Sequence, residues 1–219
     1  MKLYTPGEYR GRWYFESNKY GDDIDKDTPP YPEILSDLKK VLSILIESKM
    51  LLPRFLEGKE GKLEYKNVED LVTLIETDNF LYKCFLFGIR GDTIIYTEEG
   101  EETYSNIFSL EGFRTFQQYF SLSTKSDIWL PMSFDIDSYS FVWNLERHNL
   151  NYYRVPAVLK KINDVLGWEN ESLLVREFNE LGSLQIGYDL FLSQQVITRE
   201  YNENPNPEFN LKEYLSKME

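Results

Sequence analysis

Residues 80–97 read Phe-Leu-Tyr-Lys-Cys-Phe-Leu-Phe-Gly-Ile-Arg-Gly-Asp-Thr-Ile-Ile-Tyr-Thr. Residues 80–89 form a short apolar and aromatic run closed by a turn signal, which reads as a strand. Gly91-Asp92, glycine first, is the two-residue chemistry of a hairpin, so residues 93–97 are expected to return beside it. Antiparallel β-structure therefore sits in the middle of the chain. The next residues, Glu98, Glu99, Gly100, Glu101 and Glu102, make an acidic loop.

Outward from this hairpin the pattern changes to helical. Ile34, Leu35, Leu38, Val41, Leu42, Leu45 and Ile46 recur at helical spacing behind Pro32, whose fixed φ suits a first turn. Asn67 offers an N-cap acceptor before Glu69 and Asp70, with Leu71, Leu74 and Ile75 as the inward face. Ser109 is read as the cap of a helical turn carrying Phe113, Phe116 and Phe120. A helix from Arg154 through Pro156 carries Val155, Val158, Leu159, Ile162 and Leu166 inward and stops at Gly167. Residues 171–181 repeat that scheme up to Gly182. Asn210 and Glu213 form a capping box behind the breaker Asn204-Pro205-Asn206-Pro207.

Further strands are expected at residues 12–16, 127–131 and 140–145. A sustained alternation from Leu184 to Ser193 gives another. The sum is an α+β fold, a largely antiparallel sheet packed with several helices, as a single domain over residues 1–219. No composition shift or repeat divides it.

A chain of 219 residues can bury roughly 70% of its unfolded surface, and 16 Tyr with 14 Phe supply a core. The net charge of −13 repels bare nucleic acid and anionic membranes and favours a basic partner. One cysteine and no long apolar run point to the cytoplasm, without a membrane span.

The chemistry-bearing residues are few. His148 is the only histidine and reads as a surface-loop residue between a strand and a helix; alone it excludes a conventional zinc site. Cys84 lies in an apolar strand with Lys83 on the opposite face, so it reads as a small core hydrophobe. Asp23, Asp25 and Asp27 imitate the start of a calcium loop, but Thr28 stands where glycine is needed and Ile34 where a bidentate glutamate is needed. Arg90-Gly91-Asp92 is accounted for by the turn. Asp135, Asp137 and the glutamates of the acidic loop are too many to single out a hydrolytic pair, which is defined in space. Gly88-Ile89-Arg90-Gly91 is no phosphate loop. No catalytic, cofactor or metal residue is assigned, and the chain is read as a non-enzyme.

Ser126-Asp127-Ile128-Trp129-Leu130-Pro131, followed by Asn151-x-x-Arg154-Val155-x-x-Val158-Leu159-x-x-Ile162 and Leu166-Gly167, resembles a pattern in bacterial immunity proteins of polymorphic toxin systems. It covers about forty residues, mostly core positions, and transfers no functional residue. The resemblance implies a cytosolic α+β binder that neutralises one toxin by covering its active site. The partner expected is thus a basic toxin domain. Asp22, Asp23, Asp25, Asp27, Glu98, Glu99, Glu101 and Glu102 would steer it, with Trp13 or Tyr20 as aromatic anchor. The alternatives are a carboxylate-based hydrolase and an acidic phage or host adaptor or DNA mimic.

Overall fold

The computed structural model describes residues 11–16, 32–58, 61–65, 67–77, 86–113, 118–135, 140–166, 173–176, 185–186, 190–191 and 194–216. Strands β1 (Gly11–Glu16), β2 (Leu52–Gly58), β3 (Gly61–Glu64), β4 (Leu86–Thr97), β5 (Gly100–Phe113), β6 (Gln118–Thr124) and β9 (Leu173–Arg176) form one sheet in the order β3-β2-β4-β5-β6-β1-β9. Every pairing in it is antiparallel. A hairpin of β7 (Met132–Asp135) and β8 (Ser140–Trp143) and a small pair of β10 (Gln185–Ile186) and β11 (Leu190–Phe191) form two further two-stranded sheets. The helices are α1 (Pro32–Glu47), α2 (Val68–Thr77), α3 (Leu145–Asn151), α4 (Arg154–Leu166), α5 (Gln194–Glu203) and α6 (Leu211–Ser216). The α+β reading with a largely antiparallel sheet holds.

Register explains the core. One row runs Leu63–Leu56–Ile89–Leu110–Leu122–Trp13–Val175 across all seven strands. Leu56, Ile89, Leu110, Leu122 and Trp13 are fully buried there, in one cluster with Leu38, Val41, Leu42 and Leu45 of α1 and Val155, Leu159 and Ile162 of α4. The heptad-like spacing of α1 and α4 supplies the covering layer, and those two helices pack on each other. Burying each large aliphatic side chain contributes about 1.5–3 kcal/mol. The neighbouring row, with Arg90, Ser109 and Ser123, is polar, and its two serine hydroxyls meet at 2.8 Å.

The central hairpin turns later than the sequence suggests. β4 continues through Arg90-Gly91-Asp92, and the chain reverses at Glu98-Glu99, between Thr97 and Gly100. Gly91 marks a bulge: register shifts between Arg90 and Asp92, and Asn106 opposite adopts φ 61. A Cβ on Gly91 would lie 1.9 Å from the Leu52 carbonyl oxygen, so glycine serves a close strand approach instead of a turn. Pro53, its partner on β2, sits beside a second irregularity.

Other expectations are corrected. Ser109 lies within β5 and Phe120 within β6, so no helical turn starts at Ser109; cross-strand pairing overrides the local capping signal. Residues 127–131 are a turn, stapled by Leu130 N–H to Asp127 O at 2.8 Å and Ile128 N–H to Ser126 Oγ at 3.2 Å. Residues 173–176 are strand β9 where a helix was expected, because they complete the sheet edge on β1. The alternating run 184–193 is divided, since Gln185–Ile186 pairs back on Leu190–Phe191. The β2–β3 hairpin and α5 had no sequence expectation. Both caps hold: Asn67 Oδ1 accepts from Asp70 N–H at 2.8 Å, and Asn210 Oδ1 from Glu213 N–H at 3.1 Å.

Candidate functional site

Where α3 passes into α4, the polar side chains of His148, Asn151 and Arg154 are buried, and the last two bond to the end of β4. Arg154 opens α4 with its guanidinium inside the protein. It donates to the carbonyls of Ile94 at 2.6 Å, Ser48 at 2.9 Å and Lys49 at 3.3 Å, and to Asn151 Oδ1 at 2.9 Å. Its carbon centre lies 4.4 Å from the Tyr96 ring centroid and 6.0 Å from that of Trp129. None of these partners is a carboxylate. The negative end of α1 and two aromatic faces stand in for one. Burial lowers the pKa of Arg154, while Tyr96, Tyr153 and Glu101 oppose the shift. The group stays cationic.

Asn151 uses its whole amide. Nδ2 donates to Tyr96 O at 2.8 Å and to Arg147 O at 2.8 Å, while Oδ1 accepts from Tyr96 N–H at 3.0 Å and from Arg154. His148, one turn earlier, is buried in α3, which corrects the surface-loop reading; the turn 127–131 wraps over it. Its Nδ1 lies 3.0 Å from Trp129 O, and its ring stacks on Tyr152 with centroids 4.8 Å apart. These contacts make it a packed structural residue.

This clamp fixes the β4–β5 turn. Gly100 takes φ 131, which favours glycine, and its carbonyl accepts from Thr97 Oγ1 at 3.1 Å. Glu98 and Glu99 project into solvent at the tip. Glu101 pairs with Lys49 at 2.7 Å, and this hydrogen bond raises the Lys49 pKa. Glu102 accepts a hydrogen bond from the Tyr104 hydroxyl and lies 3.8 Å from Arg147. Burial first, and then Glu102, hold the Tyr104 phenol above its ordinary pKa. Half of the acidic loop is thus neutralised by its own chain, leaving Glu98 and Glu99 as the outward charges. Tyr153, 52% exposed, follows Asn151 by two residues and is near enough to the Arg154 guanidinium to act on its charge.

The chain matches no protein-family model, no curated protein and no solved structure. Among the described residues no group of three His, Cys, Asp or Glu side chains is placed to hold a metal ion, and no helix is long and apolar enough to cross a membrane.

Trp13 is corrected as an anchor: it is fully buried and stacks on Phe108 at 6.4 Å, because β1 is an interior strand of the sheet. Asp22, Asp23, Asp25, Asp27, Tyr20 and Cys84 lie outside the described residues. Sequence reasoning missed Tyr153 as an exposed aromatic and Asn151 and Arg154 as a clamp. The signal for the clamp was a polar pair at (i, i+3) spacing beside an apolar helical stripe.

Proposed function

We propose that this protein is a stoichiometric inhibitor of another protein, an immunity protein that covers the active site of a basic toxin domain in the bacterial cytoplasm. The observation that carries this reading is the braced acidic tip: Glu98 and Glu99 point outward from a turn held by Asn151, Arg154 and Lys49, and exposed Tyr153 lies in the chain between the first two of these. A braced loop loses little conformational entropy on binding, and rim carboxylates accelerate encounter with a cationic surface. An exposed tyrosine beside such a rim has the chemistry of a hot-spot anchor. The resemblance at Trp129, Asn151 and Arg154 is consistent with the reading, since those residues build the brace.

The test is co-purification with the product of the adjacent reading frame. A one-to-one complex that abolishes the toxicity of that product supports the proposal. Absence of any complex at micromolar concentration overturns it.

A further inference from the structure

The C-terminal half of α1, the start of β2 and the N-terminus of α2 enclose a groove of about 440 Å³. Ile46, Leu52, Pro53 and Val68 line it half-buried, while Glu47 of α1 and Glu69 of α2 stand exposed at its rim. Glu47 is the last residue of α1, whose final turn holds no basic residue. A helix C-terminus is already negative, so a carboxylate there sits in a field that a cation would relieve.

Among the described residues, the nearby cations are engaged elsewhere. Lys40 pairs with Asp37 at 3.2 Å, Lys49 with Glu101 at 2.7 Å and Arg54 with Asp92 at 3.1 Å. Lys39 lies two helical turns before Glu47, about 12 Å along the axis and beyond a Debye length of about 8 Å at physiological salt. Neither Glu47 nor Glu69 has an ion-pair partner among the described residues.

We infer that this groove docks a basic segment of a partner protein, an Arg or Lys flanked by an apolar residue. The aliphatic stem of the cation lies on Leu52, Pro53 and Val68, and its head reaches the two carboxylates. The inference stands apart from the hairpin-tip reading, because it uses a different face and different charges.

The probe is a blocked heptapeptide, Gly-Arg-Leu-Arg-Leu-Arg-Gly, titrated into the isotopically labelled full chain, with the arginines replaced by glutamate as the control. The basic peptide is expected to shift the amides of Ile46, Leu52 and Val68 saturably, and the acidic one to leave them unmoved. Glu47→Gln with Glu69→Gln should weaken binding about tenfold or more, equivalent to about 1.4 kcal/mol. Glu98→Lys with Glu99→Lys should leave it unchanged. Shifts scattered over the acidic surface, unchanged affinity in the groove variant, equal loss in the tip variant, or groove shifts that grow with protein concentration alone and so report a second copy would each overturn it.

Discussion

Asn151 holds the main chain of Tyr96 as a neighbouring strand would, accepting from its N–H at 3.0 Å and donating to its carbonyl at 2.8 Å. One side chain thereby stands in for a sheet partner at the edge where β4 leaves β2. Pairing between those two strands ends at Asp92; beyond it the Lys49 carbonyl accepts from Ile94 N–H at 3.0 Å, Arg154 donates to the Ile94 carbonyl, and Asn151 takes both backbone groups of Tyr96. Buried backbone groups need partners, and this is where they are found.

Asn151→Ala is therefore expected to destabilise the protein by about 3 kcal/mol, since it leaves the Tyr96 amide and carbonyl unpaired and Arg154 short of one acceptor. Urea unfolding checks this through the midpoint at constant slope. A loss below about 0.5 kcal/mol would mean that water replaces the amide and the clamp is incidental.

Arg154→Lys keeps the charge but loses the planar fork. An ammonium cannot reach the carbonyls of Ile94, Ser48 and Lys49 together while lying flat over Tyr96, so the expected cost is about 2 kcal/mol. Combined with Asn151→Ala, the two costs should fall short of additivity, because they share the bond at 2.9 Å. Strict additivity in a double-mutant cycle would refute the coupling.

Helices α1, α2, α4 and α6 were legible because their signals are local: the Pro32 start, the Asn67 and Asn210 caps and the apolar stripe of α4 all needed only neighbours in sequence, whereas α3 and α5 offered no such signal. The failures share the opposite character. Gly91 looks like a turn glycine until Leu52, a residue of another strand, is placed against it. Residues 173–176 follow a helical pattern, yet β1 offers an open edge. His148 is polar in sequence and buried by the distant turn at Trp129. The acidic loop was readable as a tip; that Lys49 and Arg147 neutralise half of it was not, since neither is near in sequence.

Binding should divide along the same lines as the site. If the proposed partner forms the complex, Tyr153→Ala is expected to weaken it by about 2 kcal/mol, mainly through faster dissociation. Glu98→Lys with Glu99→Lys should instead slow association about tenfold at low salt, and the difference should fade as salt rises. Surface plasmon resonance separates the two rates. Unfolding midpoints should be unchanged in both variants, so equal loss of stability would undermine the assignment.

Gly91→Ala should cost at least about 2 kcal/mol, because the new methyl meets the Leu52 carbonyl and forces β2 and β4 apart. If the residue were a solvent-exposed turn glycine, the same change would cost far less. Thermal unfolding of the variant decides between the two.

The buried Tyr65 hydroxyl has no hydrogen-bond partner among the described residues, and burial pushes its phenol well above the usual 10.0. As pH rises past about 10, the unfolded chain loses this proton while the folded chain keeps it. The unfolded state is then stabilised, so the contribution of Tyr65 is full below its unfolded pKa and is lost progressively above it. Tyr65→Phe removes both the stranded hydroxyl and the linkage. The variant should be more stable by about 1 kcal/mol at neutral pH, and its advantage should widen by about 1 kcal/mol or more near pH 11. Urea unfolding at the two pH values measures both. An advantage that stays constant or shrinks with pH would mean that the phenol reaches solvent in the folded protein and ionises normally.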